Sequence, residues 1–180
     1  MTTLLTIALL HWVVLVTPGA NVLVISQLAA GGQRRSALYV GFGVTTVAVT
    51  WALLAILGVN AVFAAMPGLR FALQVAGGIY LCYVAVRLWR SGASAGGQAA
   101  DMLAPYAAFR LGFLTNIMNP KSALFFGSVF ATALPQHPST SLLAWAVGLV
   151  FLNSLGWHIF LASRFRIRAC KRVTRASASG

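Results

Sequence analysis

Three long stretches without a charged side chain constrain this sequence more than any other feature. No Lys, Arg, Asp or Glu occurs in residues 1–33, 36–69 or 122–163, and most residues in these stretches are apolar. A helix needs about 20 apolar residues to cross the roughly 30 Å hydrocarbon core of a bilayer. The stretches are too long for the core helices of a soluble domain of 180 residues. The chain is therefore predicted to be an integral membrane protein.

The distribution of charge agrees with that prediction. Thirteen Lys and Arg residues against one acidic residue give a net charge of +12, which alone would suggest a nucleic-acid partner. A protein that grips phosphates spreads its basic residues over a soluble surface. Here only 8% of residues are charged, and the mean hydropathy is +0.86. We expect no nucleic-acid partner, and we expect the lipid bilayer to surround the chain.

The residues that usually carry catalysis and metal binding are too few or too scattered. Cys82 and Cys170 form no CxxC pair, and the three histidines lack a metal-binding spacing. Asp101 is the only acidic residue, so one chain cannot supply a pair of catalytic carboxylates. We expect no catalytic residue, no metal and no cofactor, and the chain is not expected to be an enzyme.

Hydropathy and turn residues predict an all-α fold, a polytopic bundle of membrane helices in a single domain of residues 1–180. The five predicted spans are residues 4–27, 37–63, 69–88, 109–134 and 142–162, followed by a basic tail at 164–180. The alternative for the first span is a cleaved signal peptide. A signal peptide requires a basic region before its apolar stretch, and nothing basic precedes Gln33.

Basic residues mark one side of the predicted bundle. Arg34 and Arg35 follow the first span, further arginines flank the loop after the third, and the tail follows the fifth, whereas the opposite loops carry only Arg70. Because positive charge accumulates on the cytoplasmic side, we expect an external N-terminus and a cytoplasmic C-terminus. Arg outnumbers Lys, which hints at a bacterial source and hence the inner membrane. The tail is interpreted as a stop-transfer signal rather than a site for anionic lipid.

A proline-glycine pair breaks the first predicted span near its middle. Pro18 cannot donate to the helical ladder, Gly19 adds backbone freedom, and Asn21 follows them. Backbone groups freed at membrane depth are tolerated only where protein or a water-filled cavity satisfies them. The alternative is a helix that is merely kinked. We predict that Pro18, Gly19 and Asn21 contribute to a substrate-binding site.

A second break, in the fourth span, repeats the pattern. Asn116, Asn119 and Pro120 lie close together and are followed by Lys121. A lysine within a membrane span indicates a functional site by default, and the alternative is a lysine that reaches the cytoplasmic edge along its own stem. We predict that these four residues form the other half of the substrate-binding site.

The two broken spans are three spans apart, so they cross the membrane in opposite directions. Such a pair is typical of an inverted repeat that binds its substrate between the broken helices. Amino ends of half-helices would face a carboxylate, and unwound carbonyls or helix carboxyl ends would hold an ammonium group. The pattern therefore favours a zwitterionic substrate.

Other polar residues in the spans have two interpretations each. His11 is a candidate for proton coupling because the ordinary pKa of imidazole is near 6.5, although a lone histidine is more often a packing residue. Gln74, Asn153, Trp157 and His158 either complete a polar lining or pack between helices.

Two motifs resemble those of a known family. Residues 17–35, TPGANVLVISQLAAGGQRR, are similar to the opening of the LysE/RhtB amino-acid exporters, and residues 112–121, GFLTNIMNPK, are similar to their GxLTNxxNPK motif. Within the family the sequence is most similar to the threonine and homoserine efflux type. The resemblance implies export of small neutral amino acids from the cytoplasm, driven by the proton motive force. Assembly into a homo-oligomer is left open.

The resemblance also implies a difference in the last part of the fold. Family members have a sixth transmembrane helix after the basic segment, and no apolar span follows residue 164 here. A bundle of five transmembrane helices is therefore expected, with an incomplete 3+3 inverted repeat. The alternative function is a non-transporting remnant of the family or an accessory membrane subunit.

Overall fold

The computed structural model describes residues 2–58 and 103–164, together with scattered positions between 65 and 86. Within these residues all regular structure is helical, which confirms the predicted all-α fold. The helices with defined bounds are α1 (Thr2–Val16), α2 (Ala20–Ala30), α3 (Arg34–Ile56), α4 (Pro105–Ile117), α5 (Pro120–Ala133) and α6 (Thr140–Arg164). Most of the predicted third span, including Gln74, and the tail beyond Arg164 lie outside the described residues.

Proline and short polar side chains define where the later helices begin. Pro105 and Pro120 stand in the first turns of α4 and α5, where a missing N–H costs no intrahelical bond. The side chain of Asn119 caps α5. At α6 the backbone N–H of Leu142 donates to Oγ of Ser139 at 3.2 Å. These local bonds satisfy part of each helix's free amino end.

A glycine turn connects α2 to α3. Gly32 has φ 83°, a left-handed conformation that a residue without Cβ adopts without strain. The N–H of Gly32 donates to the carbonyl of Ala29 at 3.1 Å, and that of Gln33 to the carbonyl of Leu28 at 2.9 Å. The last carbonyls of α2 are thereby satisfied, and the chain turns directly into α3.

Both predicted helix breaks are present. The axes of α1 and α2 differ by 56° across residues 17–19, and residues 118–119 separate α4 from α5. By length and composition α3 and α6 can each cross a bilayer, with mean hydropathy of 1.8 and 1.6, and the bent pair of α1 and α2 is a third candidate span among the described residues. The chain is a polytopic helical membrane protein.

The central helix is α3, which packs against α2, α4, α5 and α6. The backbones of α3 and α4 approach so closely at two glycines that neither position has room for a side chain. A Cβ added to Gly112 would overlap the carbonyl oxygen of Val40, and one added to Gly43 would overlap the carbonyl oxygen of Phe109. Small residues at helix crossings allow this approach in membrane proteins.

The residues next to the three basic regions of the sequence lie at the same end of the bundle. Arg34 donates to the carbonyl of Ser163 at 3.1 Å, which joins the start of α3 to the end of α6. Leu103, just before α4, receives a bond from Ser36 Oγ at 3.4 Å and donates to Gln33 Oε1 at 3.5 Å. The residues that flank α3, α4 and α6 on this side therefore share one end of the molecule.

Candidate functional site

A cavity of about 40 Å³ lies inside the bundle, and all six helices contribute to its lining. It is located where two buried apolar clusters meet, since Ala48 and Phe126 belong to one cluster and Val44 to the other. This volume holds roughly three water molecules. The polar residues of the lining are His11, Thr17, Asn21, Asn116, Asn119, Lys121, Ser122, Ser154 and His158.

The carboxyl end of α1 opens into this cavity because of Pro18. The carbonyl of Val14 would normally accept a bond from the residue four positions later, but that residue is Pro18, which has no N–H. Nζ of Lys121 takes this place and donates to the carbonyls of Val14 at 2.9 Å and Thr17 at 2.7 Å. An ammonium group at a helix carboxyl end is favoured by the helix dipole. The two predicted breaks therefore meet through Lys121.

Asn116, in the last turn of α4, connects this helix to three others. It is 2% exposed, and its Nδ2 donates to the carbonyl of Val44 on α3 at 2.8 Å. Its Oδ1 accepts from Nδ2 of Asn21 on α2 at 2.9 Å and from Oγ of Ser122 on α5 at 2.6 Å. A buried amide needs such partners, because an unpaired polar group is costly in an apolar interior.

Asn119 organises the start of α5 rather than reaching across the cavity. Its Oδ1 accepts from the backbone N–H of Lys121 at 3.1 Å, and its own N–H donates to the carbonyl of Asn116 at 3.1 Å. Pro120 follows in the first turn of the helix. The Asn-Pro-Lys sequence thus starts α5 at the cavity wall and directs the stem of Lys121 towards α1.

The amino end of α2 faces the same cavity. Gly19 is its N-cap residue, and no side chain in the described part of the protein caps this end. A Cβ built on Gly19 would lie 3.7 Å from Nζ of Lys121, so the two features are adjacent. The first N–H groups of a helix carry partial positive charge and favour anions. A carbonyl-rich end and an amide-rich end are therefore separated only by residues 17–19.

A second polar group joins α3 to α6 at the cavity wall. Nδ1 of His158 lies 3.4 Å from Oγ1 of Thr45 and 3.3 Å from Oγ of Ser154, and the two hydroxyls are 3.2 Å apart. The side chain of His158 is 2% exposed. Because each hydroxyl can donate or accept, the three side chains can pair in more than one hydrogen arrangement.

His11 lies on α1 within an aromatic environment. Its ring stacks on Phe125 with centroids 5.6 Å apart and is tilted against Phe126 at 5.7 Å. The side chain is 1% exposed, it lines the cavity, and its Nδ1 has no hydrogen-bond partner in the described part of the chain. His11 is thus both packed and adjacent to the cavity.

Most of the predicted site residues come together. Gly19, Asn21, Asn116, Asn119, Lys121 and His11 line the cavity. Pro18 and Pro120 do not line the cavity. Pro18 acts by leaving a carbonyl of α1 without its helical donor, and Pro120 acts by starting α5. Of the other polar candidates described, His158 lines the cavity, whereas Asn153 and Trp157 do not. Trp157 instead packs against Trp12 at 6.0 Å.

Sequence reasoning missed the hydroxyl side chains at the site and did not say which of the expected backbone carbonyls would contribute. Ser122, Thr45 and Ser154 are short hydroxyl side chains of a type common throughout the spans, and only the spacing of Ser154 four residues before His158 could have singled one out. The carbonyls of Val14 and Thr17 carry no side-chain signal at all. Their one trace in the sequence is Pro18, which removes the N–H that Val14 would use.

The sequence of this chain is similar to the sequences of known membrane transporters and membrane proteins. The sequence model of the LysE type translocator family matches residues 12–178. A threonine efflux protein of Escherichia coli (strain K12) is 30% identical over 173 residues, which cover 93% of this chain and 84% of that protein. A threonine efflux protein of Salmonella typhi is 30% identical over 172 residues, with the same two shares covered. The membrane protein YahN of Escherichia coli (strain K12) is 30% identical over 167 residues, 87% of this chain and 71% of that protein.

No solved structure matches the chain. The family match nevertheless covers nearly the whole sequence, including both helix breaks and the residues of the cavity lining other than His11. It also confirms the prediction that the chain is not an enzyme, because the members of this family are transporters. The chain belongs to the LysE type translocator family of membrane transporters.

Proposed function

We propose that the chain is a secondary transporter that exports small neutral amino acids, with threonine or homoserine as representative substrates. The observation that carries the proposal is the meeting of both helix breaks at one polar cavity. There the carbonyl-rich end of α1 and the uncapped amino end of α2 lie on either side of residues 17–19. These two ends suit the ammonium and carboxylate groups of an amino acid.

The rest of the cavity lining suits a small, uncharged side chain. Val22, Val44 and Ala48 supply apolar surface, while Ser154 and His158 supply hydroxyl and imidazole groups that can bond a polar substituent. Alternating access to a site between two broken helices requires the helices to move. The breaks between α1 and α2 and between α4 and α5 are natural points for that movement. The efflux function named for the threonine relatives supports this assignment.

We propose further that export runs from the cytoplasm across the bacterial inner membrane, with the N-terminus external and the C-terminus cytoplasmic. Arg34 shares one end of the bundle with Ser163 and Leu103, which lie next to the other two basic regions. A cytoplasmic face would require this grouping. The proton motive force would drive export.

Labelled threonine should leave loaded cells faster when they express this chain, and Asn119→Ala should abolish the difference. Alanine removes the cap of α5 at the cavity wall and frees the backbone N–H of Lys121, which shifts the lysine away from α1. The loss of one cap costs about 1 kcal/mol of stability, which a folded membrane protein survives. Efflux is measured as retained label against time, with expression checked by immunoblot.

The matched control is Ser139→Ala. It removes the equivalent cap of α6, where Ser139 accepts from Leu142, at a site that does not line the cavity. Ser139→Ala should export normally. Equal efflux from Asn119→Ala and the wild type, at equal expression, would contradict the proposed site. Absence of efflux from all three chains, the wild type included, would contradict the proposed function.

His11 is proposed as the residue that couples export to protons, because its buried Nδ1, which has no partner among the described residues, lies at the cavity. His11→Gln keeps a polar side chain without a titratable group. In vesicles loaded with threonine, it should remove the acceleration that an imposed proton gradient produces and leave exchange of labelled for unlabelled threonine intact. The control is His137→Gln, in the exposed turn before α6. Gradient-driven export that persists in His11→Gln would assign the coupling to another group.

A further inference from the structure

The carbonyls of Val14 and Thr17 form a defined site for one primary ammonium group. Val14 lacks its helical donor because Pro18 has no N–H, and Thr17 lies directly beyond the end of α1. The two distances to Nζ of Lys121, 2.9 and 2.7 Å, are those of charge-assisted bonds. The negative end of the α1 dipole adds to them. We call this pair of oxygens the ammonium subsite.

Nothing else in the described residues holds the charge of Lys121. The only acidic residue of the chain, Asp101, lies outside them, so no carboxylate among them pairs with Nζ. The ammonium group therefore depends on two neutral carbonyls and a helix end. These interactions bind the ammonium group less tightly than a buried ion pair would, and the flexible four-carbon side chain of lysine allows the ammonium group to move.

We propose that Lys121 is an internal stand-in for the substrate: its Nζ occupies the ammonium subsite in the empty transporter, and a substrate ammonium displaces it. This inference rests on the proposed function for the identity of the natural ligand. The ligand class of the subsite itself, a primary ammonium, follows from the occupant that is already there.

A substrate ammonium must compete with Nζ of Lys121 for the ammonium subsite because both groups are positively charged. Two ammonium groups cannot share one pair of oxygens, because like charges a few ångströms apart repel each other. Exchange of one ammonium for another keeps the carbonyls of Val14 and Thr17 satisfied throughout. In the structure Nζ lies next to Gly19, at the amino end of α2, so a short movement of the lysine keeps it near that helix end. A substrate carboxylate there would be stabilised by both the helix end and the released lysine.

The test uses a ligand that has an ammonium group and no carboxylate. Purified full-length protein in detergent is titrated with n-propylammonium, and binding is followed by the rise in the thermal unfolding midpoint. Lys121→Met keeps most of the side-chain volume and removes the competing group. We expect half-saturation of Lys121→Met at a concentration roughly tenfold lower than that of the wild type, equivalent to about 1.4 kcal/mol.

Two controls separate this effect from general loss of charge. Arg110→Met removes an exposed cation from α4 outside the cavity lining and should respond like the wild type. Tetramethylammonium carries the same charge without an N–H donor and should not stabilise Lys121→Met. If Lys121→Met does not fold, Lys121→Gln is titrated instead, with the same expected direction.

The outcomes distinguish this inference from the proposed function. Equal affinity of Lys121→Met and the wild type for n-propylammonium would overturn the stand-in role, even if the wild type exports threonine. An equal gain in Arg110→Met, or an equal response to tetramethylammonium, would overturn it as well. A tenfold gain restricted to Lys121→Met supports the stand-in role, even if cells expressing the wild type retain their threonine.

Discussion

Asn116→Ala is expected to abolish export and to lower the thermal stability of the purified protein. The substitution removes the acceptor of Asn21 Nδ2 and Ser122 Oγ and the donor to the Val44 carbonyl. Each polar group left buried without a partner costs about 1–3 kcal/mol. Because these bonds join α2, α3, α4 and α5 at the cavity, their loss changes the site together with the stability. Export of labelled threonine and the midpoint of thermal unfolding are the two measurements.

Asn153→Ala is the matched control for this experiment. Asn153 is an asparagine within α6 that does not line the cavity, and its Nδ2 makes no hydrogen bond within the described residues. The same chemical change there should leave export near the wild-type rate and the unfolding midpoint nearly unchanged. If the two variants behaved alike, the polar contacts of Asn116 would have no special role.

Gly112→Ala is expected to cause the largest loss of folded protein. Its new Cβ would overlap the carbonyl oxygen of Val40, and this neighbour is backbone that cannot rotate away. The helices must then separate, and overpacking of this kind costs about 1–3 kcal/mol. Since α3 carries Val44 to the cavity, separation of α3 from α4 also pulls apart the bond between Asn116 and Val44. Yield of folded protein in detergent, measured by size-exclusion chromatography, checks the prediction.

Gly148→Ala tests whether the effect is local. A Cβ at Gly148, on α6, meets no atom of the described residues within 4 Å, so alanine should be accommodated there and should favour the helix slightly. Wild-type yield from Gly148→Ala with little folded Gly112→Ala would support the close α3–α4 contact. Good yields from both variants would mean that the two helices are further apart than their glycines indicate.

The proposed site would allow a chain with one acidic residue to bind a zwitterion. Opposite partial charges come from the backbone, at the carboxyl end of α1 and the amino end of α2, and both exist because Pro18 and Gly19 interrupt one helix. Among the described residues that line the cavity, Lys121 alone carries a full charge. The site thus uses helix ends where other proteins use acidic side chains.

Local features of the sequence predicted the helix breaks well. Pro18 and Pro120 act on the backbone next to them, so their effect needs no knowledge of the remaining fold. The cost of polar groups in a membrane predicts Asn21, Asn116 and Lys121 in one site; the structure places all three at one cavity, and their role in binding a substrate stays a prediction. Their actual partners could not be inferred, because an amide can pair with any donor or acceptor that the fold brings near.

The sequence by itself determined that the chain is a helical membrane protein and where two of its helices break, because apolar length and proline chemistry act along the chain. Only the tertiary structure decided that Asn21 bonds Asn116, 95 positions away, and that Lys121 satisfies carbonyls of α1. It likewise brought Thr45, Ser154 and His158 together across two helices. Such pairings depend on how α3 packs against its neighbours, and that packing is set by the close fit of many side chains and glycines rather than by any local pattern.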